Sequence, residues 1–173
     1  MTGMPELSDE PLLLDLLNTT PVTTAVIEDA LACDELAALW ARARGGAGTT
    51  GETEALRELR GLLQSVVRGG VPPAALAPAA SHVRLRLSAG ESGLAWGLDF
   101  DDPDHHLASR ILLAWGEVVE WMPGRLRACA NNDCGLFLLD RSNSNNARWC
   151  SMSRCGNRMK SRRHYQRARR PAL

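Results

Sequence analysis

Cys129-Ala130-Asn131-Asn132-Asp133-Cys134-Gly135 and Cys150-Ser151-Met152-Ser153-Arg154-Cys155-Gly156 are two copies of one pattern, Cys-x4-Cys-Gly, with fifteen residues between Cys134 and Cys150. Four thiolates in two sequence-close pairs meet the needs of a tetrahedral Zn²⁺, because each pair spans only a turn and little chain entropy is lost in bringing the pairs together. The glycine after each pair predicts a backbone with φ > 0 that folds back and aims amide N–H groups at the sulfurs. Two disulfides are the alternative use of the same residues. The opening of the chain does not read as an export signal, and 173 residues is not a small secreted scaffold, so a reduced cytoplasm and a metal are expected. Cys129, Cys134, Cys150 and Cys155 are the predicted ligands of one structural zinc ion.

Charge sets this region apart from the rest. Residues 121–173 hold twelve Arg or Lys against Asp133 and Asp140, whereas residues 1–120 hold eight basic and eighteen acidic side chains, so the formal net charge of +0 conceals two opposite halves. Such a partition predicts a polyanion-binding tail on an acidic body. A zinc module of about 45 residues buries little apolar surface and depends on its metal, and the remaining length fits one ordinary domain. No run of eighteen apolar residues is present, which argues against a membrane span.

Upstream, Leu12, Leu13, Leu14, Leu16 and Leu17 make a short apolar helix. Asp34 and Glu35 open a helix through Leu36, Leu39 and Trp40, and Glu52 to Arg68 is amphipathic through Leu56, Leu59, Leu63, Val66 and Val67 before Gly69-Gly70 stops it. After a short helical stretch bounded by Pro72, Pro73 and Pro78 the period changes to two. Val83, Leu85 and Leu87 alternate with His82, Arg84 and Arg86, and Leu94, Trp96 and Leu98 repeat the alternation, which predicts a β-hairpin. A long helix from Pro103 to about Trp121 ends at Pro123-Gly124, taken as the boundary between a unit at 1–122 and another at 125–170. Trp96, Trp115 and Trp121 are expected in the core, and the lone Cys33 as a small buried hydrophobe.

Within the second unit, Leu136 to Leu139 and Ala147 to Trp149 are expected to pair around the polar loop Arg141 to Asn146, followed by a helix from Asn157 anchored by Cys155. The predicted fold class is therefore α+β: a mainly helical N-terminal domain with a β-hairpin, then a small treble-clef-like zinc finger with four cysteine ligands. Arg158, Lys160, Arg162, Arg163 and Arg167 on the final helix are candidate nucleic-acid contacts, since guanidinium groups pair bidentately with phosphates. Asn157 and Arg158 have an equal claim to a bracing role beside the metal, and Trp149 is expected to pack over it. His105 and His106 beside Asp101, Asp102 and Asp104 raise the question of a second metal site. Neighbouring histidines cannot share a helix face, so a solvated helix start is expected there.

The stretch Arg148-Trp149-Cys150-Ser151-Met152-Ser153-Arg154-Cys155-Gly156-Asn157-Arg158-Met159-Lys160 resembles the bacterial CGNR zinc finger, whose name is the tetrapeptide Cys155 to Arg158. Arg127-Ala128-Cys129 and Phe137-Leu138-Leu139-Asp140-Arg141-Ser142 fit its usual form, and Leu12-Leu13-Leu14-Asp15-Leu16-Leu17-Asn18-Thr19 resembles the opening of the ABATE domain that precedes this finger. The resemblance implies a stress-induced transcription regulator in which the N-terminal domain senses a signal or forms a homodimer and the finger binds DNA. It names no small-molecule effector. The sequence departs from the family at Asn143-Ser144-Asn145-Asn146-Ala147, where an arginine-rich loop is usual, which predicts a weaker grip on phosphate at that loop. An RNA- or ribosome-associated module, with His164 and Tyr165 stacking on bases, is the second reading, and an adaptor docking acidic protein is the third. No catalytic grouping stands out, and four cysteines would leave zinc no open position, so no enzyme is expected.

Overall fold

The computed structural model describes residues 9–23, 26–91, 93–99 and 102–168, with the side chains of 22, 23, 26, 27, 163, 164 and 166–168 excepted. The architecture is mixed α+β. Helix α1 (Glu10–Leu17) has too few residues to hold its shape alone. It persists because Leu12, Leu13, Leu16 and Leu17 are all buried against helices α3 (Thr50–Val67) and α5 (Pro103–Trp121). An ion pair between Arg110 and Asp9 fixes its start.

Helices α3 and α5 are the frame. Thr49 caps α3 by accepting the Glu52 amide at 3.1 Å, and the buried Glu52 carboxylate reaches back past the cap to accept the Gly48 amide at 2.6 Å, which ties the entering chain to the helix start. Asp102 caps α5 in the same way through the Asp104 amide. Thr49 also hydrogen-bonds Asp104, which sets the two helix starts side by side. Leu56, Leu59 and Leu63 of one helix and Leu107, Ile111 and Val118 of the other are fully or almost fully buried, as their spacing predicts. A 3₁₀ turn (Pro73–Leu76) and helix α4 (Ala77–Ala80) close one end, with Leu76 inserted into the core.

Helix α2 (Asp34–Arg42) forms where expected but is rolled differently. Ala37, Trp40 and Ala41 face inward, while Leu36 and Leu39 are exposed. The small Ala37 and Ala41 let the helix approach closely, and the Arg44 guanidinium covers Trp40 at 4.2 Å from the ring centroid. Cys33 precedes α2 in an extended conformation and is exposed, contrary to the expectation of a buried thiol.

The alternating segment forms the predicted hairpin, β3 (Leu85–Gly90) with β4 (Gly93–Leu98), in antiparallel register Leu87↔Trp96. Its side chains are almost all exposed, so Trp96 is not a core residue; the hairpin stands off the helical body instead of lying on it. Trp121, at the last turn of α5, is also exposed, whereas Trp115 packs against the core. A further two-residue ladder pairs β1 (Val22–Thr23) with β2 (Val26–Ile27).

After Pro123-Gly124, where Gly124 takes φ +69, the chain enters β5 (Leu126–Ala128), which pairs antiparallel with β6 (Phe137–Leu139). This corrects the expected pairing: the partner of the Phe137 strand is the segment before the first cysteine, and Ala147 to Trp149 forms no strand. The hairpin is built into the helical body. Phe137 is 2% exposed and belongs to the main core, its amide donates to Asn18 Oδ1 at 2.7 Å, and Asn18 Nδ2 donates back to its carbonyl. Arg68 stacks over the Phe137 ring and donates to the Gly135 carbonyl at 3.0 Å, and Arg141 pairs with Glu10.

Candidate metal centre

The first cysteine pair brackets a tight turn. Cys129 directly follows β5, donating its amide to the Leu136 carbonyl, and the Cys134 amide donates to the Asn131 carbonyl at 2.8 Å. The second pair is formed by a π-helical turn, Met152–Gly156, which leads directly into helix α6 (Asn157–Ala168). Ser151 starts this turn: its hydroxyl accepts the Arg154 amide and its carbonyl accepts the amides of Cys155 and Gly156. The two turns are joined by the Ala130 amide donating to the Arg148 carbonyl at 2.8 Å and by the Cys150 amide donating toward Cys129 Sγ at 3.5 Å.

The connecting loop is held by Asp140. Its carboxylate accepts the amides of Ser142 at 2.8 Å and Ala147 at 2.7 Å, with Arg127 beside it, so residues 141–147 close into a ring that delivers Arg148 to the first turn. Arg125 adds hydrogen bonds to the carbonyls of Asp140 and Ser142. The hydrogen bonds from Ser142 and Ala147, with the nearby Arg127 charge, hold the Asp140 carboxyl below its ordinary range.

All four sulfurs lie within 4.8 Å of one another. Cys134 and Cys150 are 3.8 Å apart and Cys150 and Cys155 3.7 Å. Four sulfurs at a Zn–S distance of about 2.3 Å in a tetrahedron are separated by about 3.8 Å, so the arrangement fits a single structural zinc and is far from the S–S bond of a disulfide. Burial, with the charge of neighbouring thiolates, pushes the Cys134 thiol up to about 11 and the Cys150 thiol higher still. Burial also opposes ionisation of Cys155, but hydrogen bonds from Asn131 and the other thiols outweigh it and lower that group. Four adjacent thiols cannot all ionise on their own; a dication supplies the compensating charge.

Asn131, only 2% exposed, donates from Nδ2 to Cys155 Sγ at 3.4 Å and accepts the Asp133 amide, so the amide that braces the sulfurs comes from the first turn. Sequence reasoning missed both Asn131 and Asp140; an Asn two positions after the first cysteine was the available signal for the former. Asn157, given equal claims as a brace and as a contact, is exposed. The glycine argument is also corrected: neither Gly135 nor Gly156 adopts positive φ. A Cβ at Gly156 would lie 2.6 Å from the sulfur of the exposed Met152 side chain, which would have to move aside, and 3.4 Å from Trp149. Trp149 is half-buried and lies beside Gly156 in the second turn.

Of the basic candidates, Arg158, Lys160 and Arg162 are exposed on α6, and Arg162 pairs with Asp133 at 2.9 Å. The side chains of Arg163 and Arg167, and of His164, lie outside the described residues, as do Arg169 and Arg170. Among the described residues a second group of ligand-type side chains exists, His82, Asp102 and His105.

The same region is similar to a known family. The CGNR zinc finger model matches residues 125–168. The match begins at the residue before β5 and ends with α6, so it takes in the hairpin, all four cysteines and the basic helix. No curated protein matches the chain. Among the described residues no helix is long and apolar enough to cross a membrane.

Proposed function

We propose that this protein is a bacterial transcription regulator that binds DNA through its zinc module and the basic helix α6. The observation that carries the reading is the mounting of that helix: its first residue lies two positions after a ligand cysteine, so the metal fixes the direction in which Arg158, Lys160 and Arg162 project. Cations held on a rigid element lose less entropy on meeting phosphates than cations on a free tail. The Arg162–Asp133 pair is solvent-exposed and worth ~0–1 kcal/mol, so a phosphate can replace the carboxylate at little cost. Arg141 is committed to the buried Glu10 carboxylate, and the loop that carries it is closed on Asp140. Contact with nucleic acid is therefore assigned to α6, and the asparagine-rich loop is a structural ring.

The role is non-catalytic: four protein ligands complete the zinc shell and leave no position for substrate. The cytoplasm is the setting that keeps the thiols reduced, and the stress-regulator role follows from the resemblance to ABATE-containing proteins. The exposure of Tyr165 on α6 supports a second reading, in which the helix binds structured RNA and the ring stacks on an unpaired base.

The test is selection of bound fragments from sheared genomic DNA by full-length zinc-loaded protein at near-physiological salt, with structured RNA as competitor. A recurrent DNA motif that survives competition supports the regulator. Salt-sensitive binding without sequence preference, or loss to RNA, replaces it with a general or RNA-associated module.

A further inference from the structure

The chain has four histidines, and three of them, His82, His105 and His106, line one cleft of about 390 Å³ at the root of the β3–β4 hairpin, together with Asp99 and Asp102. Within it the ligand atoms of His82, Asp102 and His105 all lie within 4.8 Å of one another. His105 Nδ1 is 2.7 Å from Asp102 Oδ2, and the imidazoles of His82 and His105 are stacked, centroids 3.7 Å apart and 4° from parallel. A neutral imidazole offers one ring-nitrogen lone pair to a metal. Asp102 is oriented by the Asp104 amide, which donates to its Oδ1 at 3.1 Å and leaves Oδ2 facing the histidines.

We propose that His82, Asp102 and His105 form a second metal site, which takes an exchangeable divalent transition-metal ion such as Ni²⁺ through two imidazole nitrogens and one carboxylate, water completing the shell. The donor set excludes Mg²⁺ and Ca²⁺, which prefer all-oxygen shells, and differs from the four thiolates that select zinc downstream. His82 is exposed, so its ring has room to leave the stack and let the lone pairs converge on one ion. The cleft also carries Arg84, but its guanidinium is hydrogen-bonded to the carbonyls of Ser81 and Val83.

The ligands sit on both sides of the hairpin. His82 lies before β3, and Asp102 and His105 lie after β4 at the first turn of α5. A bound ion would thus pin both ends of an otherwise free-standing hairpin to the helical body. This inference stands on its own geometry and does not rest on nucleic-acid binding.

Equilibrium dialysis of untagged, full-length, zinc-loaded protein against Ni²⁺, with both metals counted per chain, tests it. The expected result is one Ni²⁺ per chain beyond the zinc. Affinity should fall at least about ten-fold in His105→Ala and in His82→Gln while zinc content and helical circular dichroism stay unchanged. His106→Ala, off the triad, should bind as the parent does. No Ni²⁺ above background in the parent protein overturns the site. Equal binding by the parent, His105→Ala and His82→Gln also overturns it.

Discussion

The two metal-ligand clusters of this molecule are built on opposite principles. The cysteines are drawn from two turns cross-braced by hydrogen bonds that gather the four sulfurs: Asn131 bonds a sulfur, the Ala130 and Arg148 backbones are linked, and Asp140 closes the loop between the pairs. The His82, Asp102 and His105 group is solvent-exposed or half-buried, its two imidazoles stacked on each other. One cluster has geometry that only its ion completes; the other has ligands that must rearrange to receive one. The first should therefore be part of the fold and the second a reversible addition to it.

The largest expected effect follows directly. Replacing Cys150 with Ser, or stripping zinc with a chelator, should unfold α6 and the second turn, since binding free energies of ~10–16 kcal/mol at structural zinc sites are folding free energies. Circular dichroism and zinc content should fall together. Because the Cys134 and Cys150 thiols are raised and protonated without metal, loading must release protons, and zinc affinity should weaken as pH falls from about 8 to about 6. His105→Ala should leave the melting profile within ~0.5 kcal/mol. If both variants melt alike, the distinction between the clusters is wrong.

Next in size is the seam between the zinc module and the helical body. Phe137→Ala should cost ~3–5 kcal/mol because the ring is buried in the shared core and covered by Arg68. The loss should appear in the melting of the N-terminal helices as well as in zinc retention. A variant that loses zinc but melts normally would make the module an independent appendage.

How much of this was readable beforehand depends on the range of the interaction. The cysteine spacing carries the metal site because each pair is local, and α5 runs from Pro103 to Trp121 as the proline, the apolar stripe and the terminal Pro-Gly predict. Three-residue strands carry too little alternation to name a partner, so β6 was matched to Ala147–Trp149 when its partner is Leu126–Ala128. The roll of α2 was set by close approach at Ala37 and Ala41, which periodicity of large side chains does not record. Alternation in β3 and β4 predicted a covered face, and the hairpin instead projects. The His82 contact was invisible because its partner lies beyond the hairpin, and only the fold brings the two ends together.

Bracing residues should give intermediate effects that separate fold from metal. Asn131→Ala removes a side-chain amide bonded to a ligand sulfur and should lower zinc affinity by ~10–100-fold, measured by competition with a chromophoric chelator. On the recognition surface, Lys160→Ala with Arg162→Ala should weaken nucleic-acid binding and flatten its log–log salt slope by about two units if both touch phosphates. Zinc content should be unchanged, since neither residue is a ligand.

The smallest and most diagnostic effect concerns Asp140. Its folded pKa is depressed by hydrogen bonds from Ser142 and Ala147 and by the Arg127 charge, so its contribution to stability is fully present above the unfolded value and is lost as pH falls through the folded one. The ring over residues 141–147 should therefore loosen only in acid, at pH below about 4. Asp140→Asn keeps the shape but removes the charge. It should be modestly less stable at neutral pH and lose the acid-dependent part of the parent's stability, so that urea midpoints of the two proteins converge as pH falls. Parallel midpoints from neutral pH down into acid would mean that the carboxylate charge contributes nothing there, and that the loop which brings the two cysteine pairs together is held by the remaining backbone and arginine contacts.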